Sequence, residues 1–126
     1  MPSLSQPKLK IQSTAGSSQL KVTTSVTVKF SPEEESIISA LNLKFKLKSR
    51  VWAEDDMFNG GDDPLFWLST KTITKEGHYE FVRTVNHGLL DEDWEGNDEV
   101  YAKFALAAIA FPMAATTRTQ TQVGNY

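Results

Sequence analysis

Residues 41–51 read LNLKFKLKSRV, and the alternation of apolar with polar side chains in this stretch decides the fold class. Leu43, Phe45 and Leu47 occupy every second position, with lysines between them. Because successive side chains of a β-strand point to opposite faces, the pattern predicts a strand with one buried face and one face in water. Residues 20–30, LKVTTSVTVKF, repeat the alternation and predict a second strand of the same kind.

The rest of the chain predicts further short strands and one short helix. The capping-box pattern Ser31-Pro32-Glu33-Glu34 predicts one or two helical turns over 32–38. More strands are predicted over 65–73, 78–85, the first part of 100–111, and 116–123, and the last has so few apolar residues that it suits a sheet edge. Short strands joined by turns, without long helices between them, indicate an all-β fold. We therefore predict an antiparallel β-sandwich of six to seven strands, with a small β-barrel as the alternative.

The N-terminal residues differ in composition from the rest and suggest how the chain is organised. Residues 1–18 are rich in Ser, Gln, Thr and Gly, and we predict a flexible arm there with a short strand at 8–12. The remaining residues, 19–126, are predicted to form a single sandwich domain, which fits a chain of 126 residues.

Composition excludes several classes of functional site. The chain has no Cys and only two His, which excludes disulfide scaffolds and cysteine nucleophiles and leaves the usual zinc sites short of ligands. No nucleophile motif surrounds a serine, so we expect a non-enzymatic protein with no catalytic residues. No membrane span or secretory signal is visible. These features predict a cytoplasmic protein, although leaderless export or incorporation into a larger particle is compatible with the same sequence.

The acidic residues are concentrated in two segments. Residues 54–63 and 91–99 together hold eleven of the sixteen Asp and Glu residues and none of the Lys or Arg residues. Two predicted strands separate the segments, so the chain crosses the sandwich twice and returns to the end it left. We therefore predict that both acidic segments lie at one pole of the sandwich.

Calcium is the ligand that such a pole would favour, because it takes six to eight oxygen ligands from carboxylates, amides, backbone and water. The predicted metal ligands are Asp55, Asp56, Asp62, Asp63, Asp91, Asp93 and Asp98. Trp94, Asn59 and Asn97 are predicted to contact a further ligand. The leading hypothesis is a non-enzymatic interaction module whose calcium-ordered pole presents a surface to a carbohydrate, a lipid head group or a protein.

Four alternatives to the calcium hypothesis stay open. In the first two, the acidic segments are solvated turns or they face a basic protein partner. In the third, the protein is a structural, self-assembling homo-oligomer with no metal site, built through its polar N-terminal arm, the Ala-rich strand near 102–110 and a final strand with few apolar residues. In the fourth, the protein is a small hydrolase that uses the same carboxylates.

Basic and aromatic residues form patterns that we interpret structurally. One face of the predicted strand over 41–51 carries four cations: Lys44, Lys46, Lys48 and Arg50. We interpret this row as a solvated sheet face rather than a phosphate-binding surface, and the net charge of −3 argues against a nucleic-acid partner. Trp52 and Trp67 are predicted to fill one end of the core.

The calcium hypothesis predicts a metal-dependent change in stability. Calcium at about 100 times its dissociation constant adds about 2.7 kcal/mol to the free energy of unfolding, which raises Tm by several degrees. Thermal unfolding in EDTA, calcium and magnesium measures it, and Asp91→Asn should abolish a calcium-specific rise. An unchanged Tm in both ions would contradict the hypothesis.

Overall fold

The computed structural model describes residues 2–13, 18–53, 63–86, 98–110 and 113–124. These residues form one α-helix and eight strands in two antiparallel sheets, and the sheets do not close into a barrel. The elements are β1 (Ser3–Ser13), β2 (Gln19–Lys29), α1 (Pro32–Leu41), β3 (Phe45–Ala53), β4 (Asp63–Ile73), β5 (Gly77–Asn86), β6 (Asp98–Ala108), β7 (Ala114–Arg118) and β8 (Gln122–Gly124). The predicted antiparallel sandwich is confirmed, and the barrel alternative is wrong.

The chain passes repeatedly from one sheet to the other. One sheet has the strand order β1-β2-β5, and the other has the order β4-β3-β6-β7, with β8 pairing to β6 beyond β7. The helix α1 lies between β2 of the first sheet and β3 of the second. The helix found among the described residues is ten residues long, too short to cross a membrane.

The core lies between the sheets and is built from the apolar faces of the alternating strands. Three phenylalanines, Phe45, Phe81 and Phe104, are almost fully buried, and the Phe81 and Phe104 rings from opposite sheets lie 6.3 Å apart. One polar contact crosses this core: the hydroxyls of Thr24 on β2 and Ser49 on β3 lie 2.9 Å apart and are fully buried. Each hydroxyl therefore satisfies the other where water cannot reach.

The helix is longer than the sequence pattern predicts. The capping box is present: the Ser31 hydroxyl accepts from the Glu34 N–H, and the Glu34 carboxylate accepts from the Ser31 N–H. The helix then runs to Leu41 instead of ending at residue 38, because Ile38 packs into the core and holds the last turn. Asn42 ends it in the left-handed conformation, with φ at 51°. The alternation predicts a strand from Leu41, but Leu41 belongs to the helix and the strand begins only at Phe45.

The strand predicted over 8–12 in the N-terminal segment is present and is longer than predicted. Ser3–Ser13 form β1, which pairs antiparallel with β2 from Ser3↔Lys29 to Ser13↔Leu20. Backbone hydrogen bonds hold this edge strand, and Leu9 supplies its buried side chain. A register shift between Ser5 and Lys8 interrupts the pairing, a feature typical of edge strands.

One buried threonine divides the strand predicted over 116–123 into two strands. In place of a single strand over 116–123, β7 ends at Arg118 and β8 begins at Gln122, both paired to β6. Between them the Thr119 hydroxyl accepts from the Ala102 N–H at 2.9 Å, and the Thr119 N–H donates to the Ala102 carbonyl at 2.8 Å. A side-chain acceptor here replaces a backbone carbonyl in the ladder, which breaks the strand in two.

A pair of glutamates connects α1 to the turn before β5. Glu35 and Glu76 share a hydrogen bond, and Glu76 also accepts from the Phe30 N–H at 3.4 Å. This shared bond and the repulsion between the two carboxylates raise the pKa of Glu35 above its ordinary value. Protonation of Glu35 is therefore more favourable in the folded protein than in the unfolded chain.

The buried contact between the Thr24 and Ser49 hydroxyls predicts that substitutions at these two residues have non-additive effects on stability. Thr24→Val or Ser49→Ala alone leaves one buried hydroxyl without a partner and should cost about 1–3 kcal/mol. The double variant should cost clearly less than the sum, measured by urea unfolding in a double-mutant cycle. Thr72→Val, at an exposed site on β4, is the control and should change stability by less than about 0.5 kcal/mol. Additive effects would show that the hydroxyls act independently.

Replacement of Glu35 in the glutamate pair should raise the stability of the protein, and the rise should depend on pH. The folded state holds the shared proton more tightly than the unfolded chain, so the stabilisation is present at acid pH and is lost as pH rises through the raised pKa. Glu35→Gln should therefore raise Tm at neutral pH, and the gain should vanish below about pH 4. Glu33→Gln, in the same helical turn, should give no such gain. A pH-independent effect of Glu35→Gln would contradict the shared proton.

Candidate binding face

The outer surface of the five-stranded sheet combines cations with aromatic rings. Along β3, residues 45, 47, 49, 51 and 53 are buried, so the even-numbered side chains between them point away from the core. Neighbouring strands add residues to the same surface. We call this set the cation–aromatic face: Lys46, Lys48, Arg50 and Trp52 of β3, Trp67 of β4, Tyr101 and Lys103 of β6, and Arg118 of β7.

The strand registers arrange this face in rows. Arg50 lies opposite Trp67 on one side and Lys103 on the other, and Lys103 in turn lies opposite Arg118. This row carries one indole and three cations on four neighbouring strands, and each strand lies about 4.8 Å from the next. In the next row, Lys48 lies between the smaller residues Thr70 and Ala105.

A β-bulge turns Trp67 onto this face. The β3–β4 register runs from Phe45↔Ile73 to Lys48↔Thr70 and then shifts by one residue, so that Arg50 pairs with Trp67 instead of Leu68. The extra residue reverses the alternation of β4. Leu68 is consequently buried, whereas Trp67 is 47 % exposed.

The Arg50 guanidinium is the centre of the face. Its Cζ lies 4.6 Å from the Trp67 ring centroid and 5.2 Å from that of Trp52. Two ammonium groups approach the same indoles, with Lys48 Nζ 6.0 Å from Trp67 and Lys103 Nζ 5.8 Å from Trp52. Such contacts favour a cation by about 0.5–2 kcal/mol each, so the rings hold the positive charges in place.

A second cation–ring pair closes the β7 side of the face. The Arg118 guanidinium lies 3.5 Å from the ring centroid of Tyr101, which is buried beneath it. Arg118 also donates to the Thr119 carbonyl at 3.2 Å and to the Thr121 hydroxyl at 2.9 Å. These bonds use two of its five N–H donors and orient the guanidinium over the ring.

The central cations are not neutralised by the described part of the chain. Among those residues, no carboxylate forms a salt bridge with Lys48, Arg50 or Lys103. The five carboxylates outside the acidic segments lie elsewhere: Glu33, Glu34 and Glu35 on α1, Glu76 before β5 and Glu80 on β5. Glu99 lies near the start of β6, two residues before Tyr101, at the margin of the face.

Two hydrogen-bond donors beneath these cations have no acceptor among the described residues. They are Arg50 Nε and Trp52 Nε1, both shielded from water. Each unsatisfied buried donor costs about 1–3 kcal/mol of stability. The packing of cations against rings therefore leaves two N–H groups that could still donate hydrogen bonds. A groove of about 230 Å³ lies over this centre, lined in part by Lys48, Trp67 and Thr116.

The structure describes little of the predicted calcium site. Asp63 begins β4 and Asp98 begins β6, and these strands pair with β3 on either side of Ala53. The backbone therefore brings one border of each acidic segment to the same end of the sheet. The other predicted metal ligands and contact residues lie outside the described residues: Asp55, Asp56, Asp62, Asp91, Asp93, Trp94, Asn59 and Asn97. In the part of the chain that is described, no three His, Asp or Glu side chains cluster in a way that suits a metal ion.

The two tryptophans predicted to fill the core lie on the outer face instead. Trp67 is turned outward by the bulge, and Trp52 is only partly buried and faces the same way as Lys48. The alternation of β3 already places Trp52 in line with the lysines, so its position could have been found from the sequence. The bulge that exposes Trp67 has no such signal.

The histidine that the structure describes, His78, lies away from this face. His78 Nδ1 lies 3.0 Å from the Thr27 hydroxyl in an exposed contact on the other sheet, and His87 lies outside the described residues. No protein-family model, curated protein or solved structure matches the chain. Function is therefore inferred from the chemistry of the face and not from the fold.

Proposed function

We propose that the protein is a non-enzymatic interaction module that binds a carboxylate-rich partner on the cation–aromatic face. The observation that carries this proposal is the Arg50 guanidinium, held between Trp52 and Trp67 with Lys48 and Lys103 beside it and no carboxylate of the described chain against them. A charged group positioned before binding loses little conformational entropy when its partner arrives.

The chemistry of the face favours an anion with flat, polar groups. A guanidinium presents several donors in a rigid fork that matches a carboxylate. The exposed indole of Trp67 offers an apolar surface next to those donors. An acidic partner can therefore form charge-assisted hydrogen bonds and stacking contacts on adjacent parts of one row.

A long polyanion suits the surface less well than a short acidic patch. Asp98 and Glu99 begin β6 and Asp63 begins β4, so three acidic residues stand where these strands pair with the end of β3. A polyanion that followed β3 past Trp52 would meet this negative charge and be repelled. The partner is therefore a limited acidic patch, such as a run of Asp and Glu on a protein.

Calcium binding by the acidic segments is a separate proposal. Its support is the position of Asp63 and Asp98 on the two strands that flank the end of β3. An ion there would reduce the negative charge beside the face and would not replace the contacts of Arg50.

An octaglutamate peptide tests the main proposal. Titration into the full chain, followed by calorimetry, should show binding that weakens as salt rises, because screening reduces charge attraction. Lys48→Gln/Lys103→Gln should weaken it about tenfold, since two such contacts contribute roughly 1.4 kcal/mol together. Lys21→Gln/Lys29→Gln removes the same charge from exposed sites on β2 and should leave the affinity within about twofold.

The outcomes separate the proposal from general electrostatic attraction. Equal losses in the two double variants would show that net charge, and not this face, governs binding. Failure to bind octaglutamate, or tighter binding of an eight-nucleotide single-stranded DNA than of the peptide, would overturn the carboxylate partner.

A further inference from the structure

Two rows of side chains run next to each other along the outer surface of the five-stranded sheet. The cation row follows β3 at every second position and begins one residue before the strand: Lys44, Lys46, Lys48 and Arg50. The apolar row follows the adjacent strand β6 and ends one residue beyond it: Ala105, Ala107 and Ile109. The surface therefore changes from charged to apolar across a single strand spacing.

The strand register keeps the two rows in step. Lys46 lies opposite Ala107 and, two residues further along β3, Lys48 lies opposite Ala105. Adjacent strands lie about 4.8 Å apart, and residues on one face of a strand recur about every 6.8 Å. Each step along the sheet therefore offers one ammonium group with one apolar side chain beside it.

The apolar row continues past the strands to larger side chains that water reaches. The Ile109 N–H donates to the Lys44 carbonyl at 2.8 Å, which adds a third cation beside a third apolar residue. The Ile109 side chain is 44 % exposed, and Leu41 at the end of α1 is 56 % exposed. Ile109 lines a hollow of about 380 Å³ with Lys46 and Ala107, and a neighbouring hollow of about 410 Å³ with Leu41. The apolar row is therefore a continuous surface that apolar side chains of a partner can cover.

The lysines of the cation row have uncharged neighbours on both adjacent strands. Lys46 lies between Thr72 and Ala107, and Lys48 lies between Thr70 and Ala105. Cations that follow one another on the same face of a strand repel each other. Carboxylates with the same spacing would relieve this repulsion, so the row is complementary to a regular series of acids.

An extended peptide has the geometry that both rows require. Its successive side chains point to opposite sides, and those on each side recur about every 6.8 Å. A peptide in which acids alternate with apolar residues therefore carries all its carboxylates on one side and all its apolar groups on the other. An α-helix is about 10 Å across and repeats one side at every third or fourth residue, so strict alternation does not divide it in this way.

We infer that the acidic partner docks as an extended segment in which acidic and apolar residues alternate, with its carboxylates on the cation row and its apolar side chains on the apolar row. This inference rests on the proposed function, because it names the kind of acidic segment that the cation–aromatic face takes. The site ends where Lys103 replaces an apolar residue opposite Arg50. There the exposed indole of Trp67, 4.6 Å from the Arg50 guanidinium, supplies the apolar contact instead.

Three octapeptides with blocked termini and equal charge test the inference on the unaltered chain by calorimetry. They are EVEVEVEV, then ESESESES, in which serine replaces each valine, and EEEEVVVV, which keeps the composition of the first without its alternation. EVEVEVEV should bind about tenfold more tightly than ESESESES, since the burial of two methylene groups is enough for that factor. It should also bind about tenfold more tightly than EEEEVVVV, which when extended turns only two of its four carboxylates toward the cation row.

A variant in the apolar row separates its contribution from that of charge. Ala107→Gln places a long polar side chain at an exposed site of this row and leaves the net charge unchanged. The preference for EVEVEVEV over ESESESES should fall below about twofold, while the affinity for octaglutamate should stay within about twofold. Thr84→Gln, at an exposed site on β5 in the other sheet, is the matched control and should keep the tenfold preference.

The outcomes separate this inference from the proposed function. Equal affinities for the three octapeptides, in a chain that binds octaglutamate, would retain the proposed function and overturn the inference. A preference for EVEVEVEV that persists in Ala107→Gln would place the apolar contact elsewhere and also overturn it. A chain that binds neither octaglutamate nor any octapeptide contradicts both. Because the three peptides are compared on the unaltered chain, this comparison decides the inference even if a variant fails to fold.

Discussion

Strand β3 is paired on both sides, with β4 and β6, and this pairing leaves its side chains only two directions. Phe45, Leu47 and Val51 point inward and are fully buried, together with Ser49, which contacts Thr24 of the opposite sheet. The residues between them form the centre of the cation–aromatic face. Because a slip of one residue would bring charged groups into the core at a high desolvation cost, the core determines where the cations stand.

Much of this arrangement follows from alternation alone, and its failures have physical reasons. The two clearest strands and the capping box are readable from residues 20–51, and the antiparallel sandwich follows when the predicted strands beyond residue 64 are added. Strand β1 extends beyond the strand predicted over 8–12, because an edge strand is held by backbone hydrogen bonds, which leave little trace in the side-chain pattern. Trp67 was assigned to the core because a large apolar residue is usually buried, and only the bulge, a tertiary feature, reverses that expectation.

The distribution of charge matters more than its sum. A net charge of −3 describes a weakly acidic protein, yet most of the acids stand in two segments and the central strands present a positive surface. The sequence placed the lysines on one face of β3 but gave no reason to expect that Arg50 would rest on two indoles. Contacts between side chains of different strands depend on register, and register is decided by the whole sheet.

The extra residue that β4 holds between Trp67 and Thr70 reconciles two parts of the strand that plain alternation would set against each other. Without the bulge, the alternation that buries Ile73 would also direct Trp67 toward the core and Leu68 toward water. A chain that lacked Ser69 would need no bulge at this point, because Leu68 would be directly adjacent to Thr70 and point inward. In the evolution of such a protein, the sheet can therefore absorb the gain or loss of one codon here while its buried and exposed side chains keep their places.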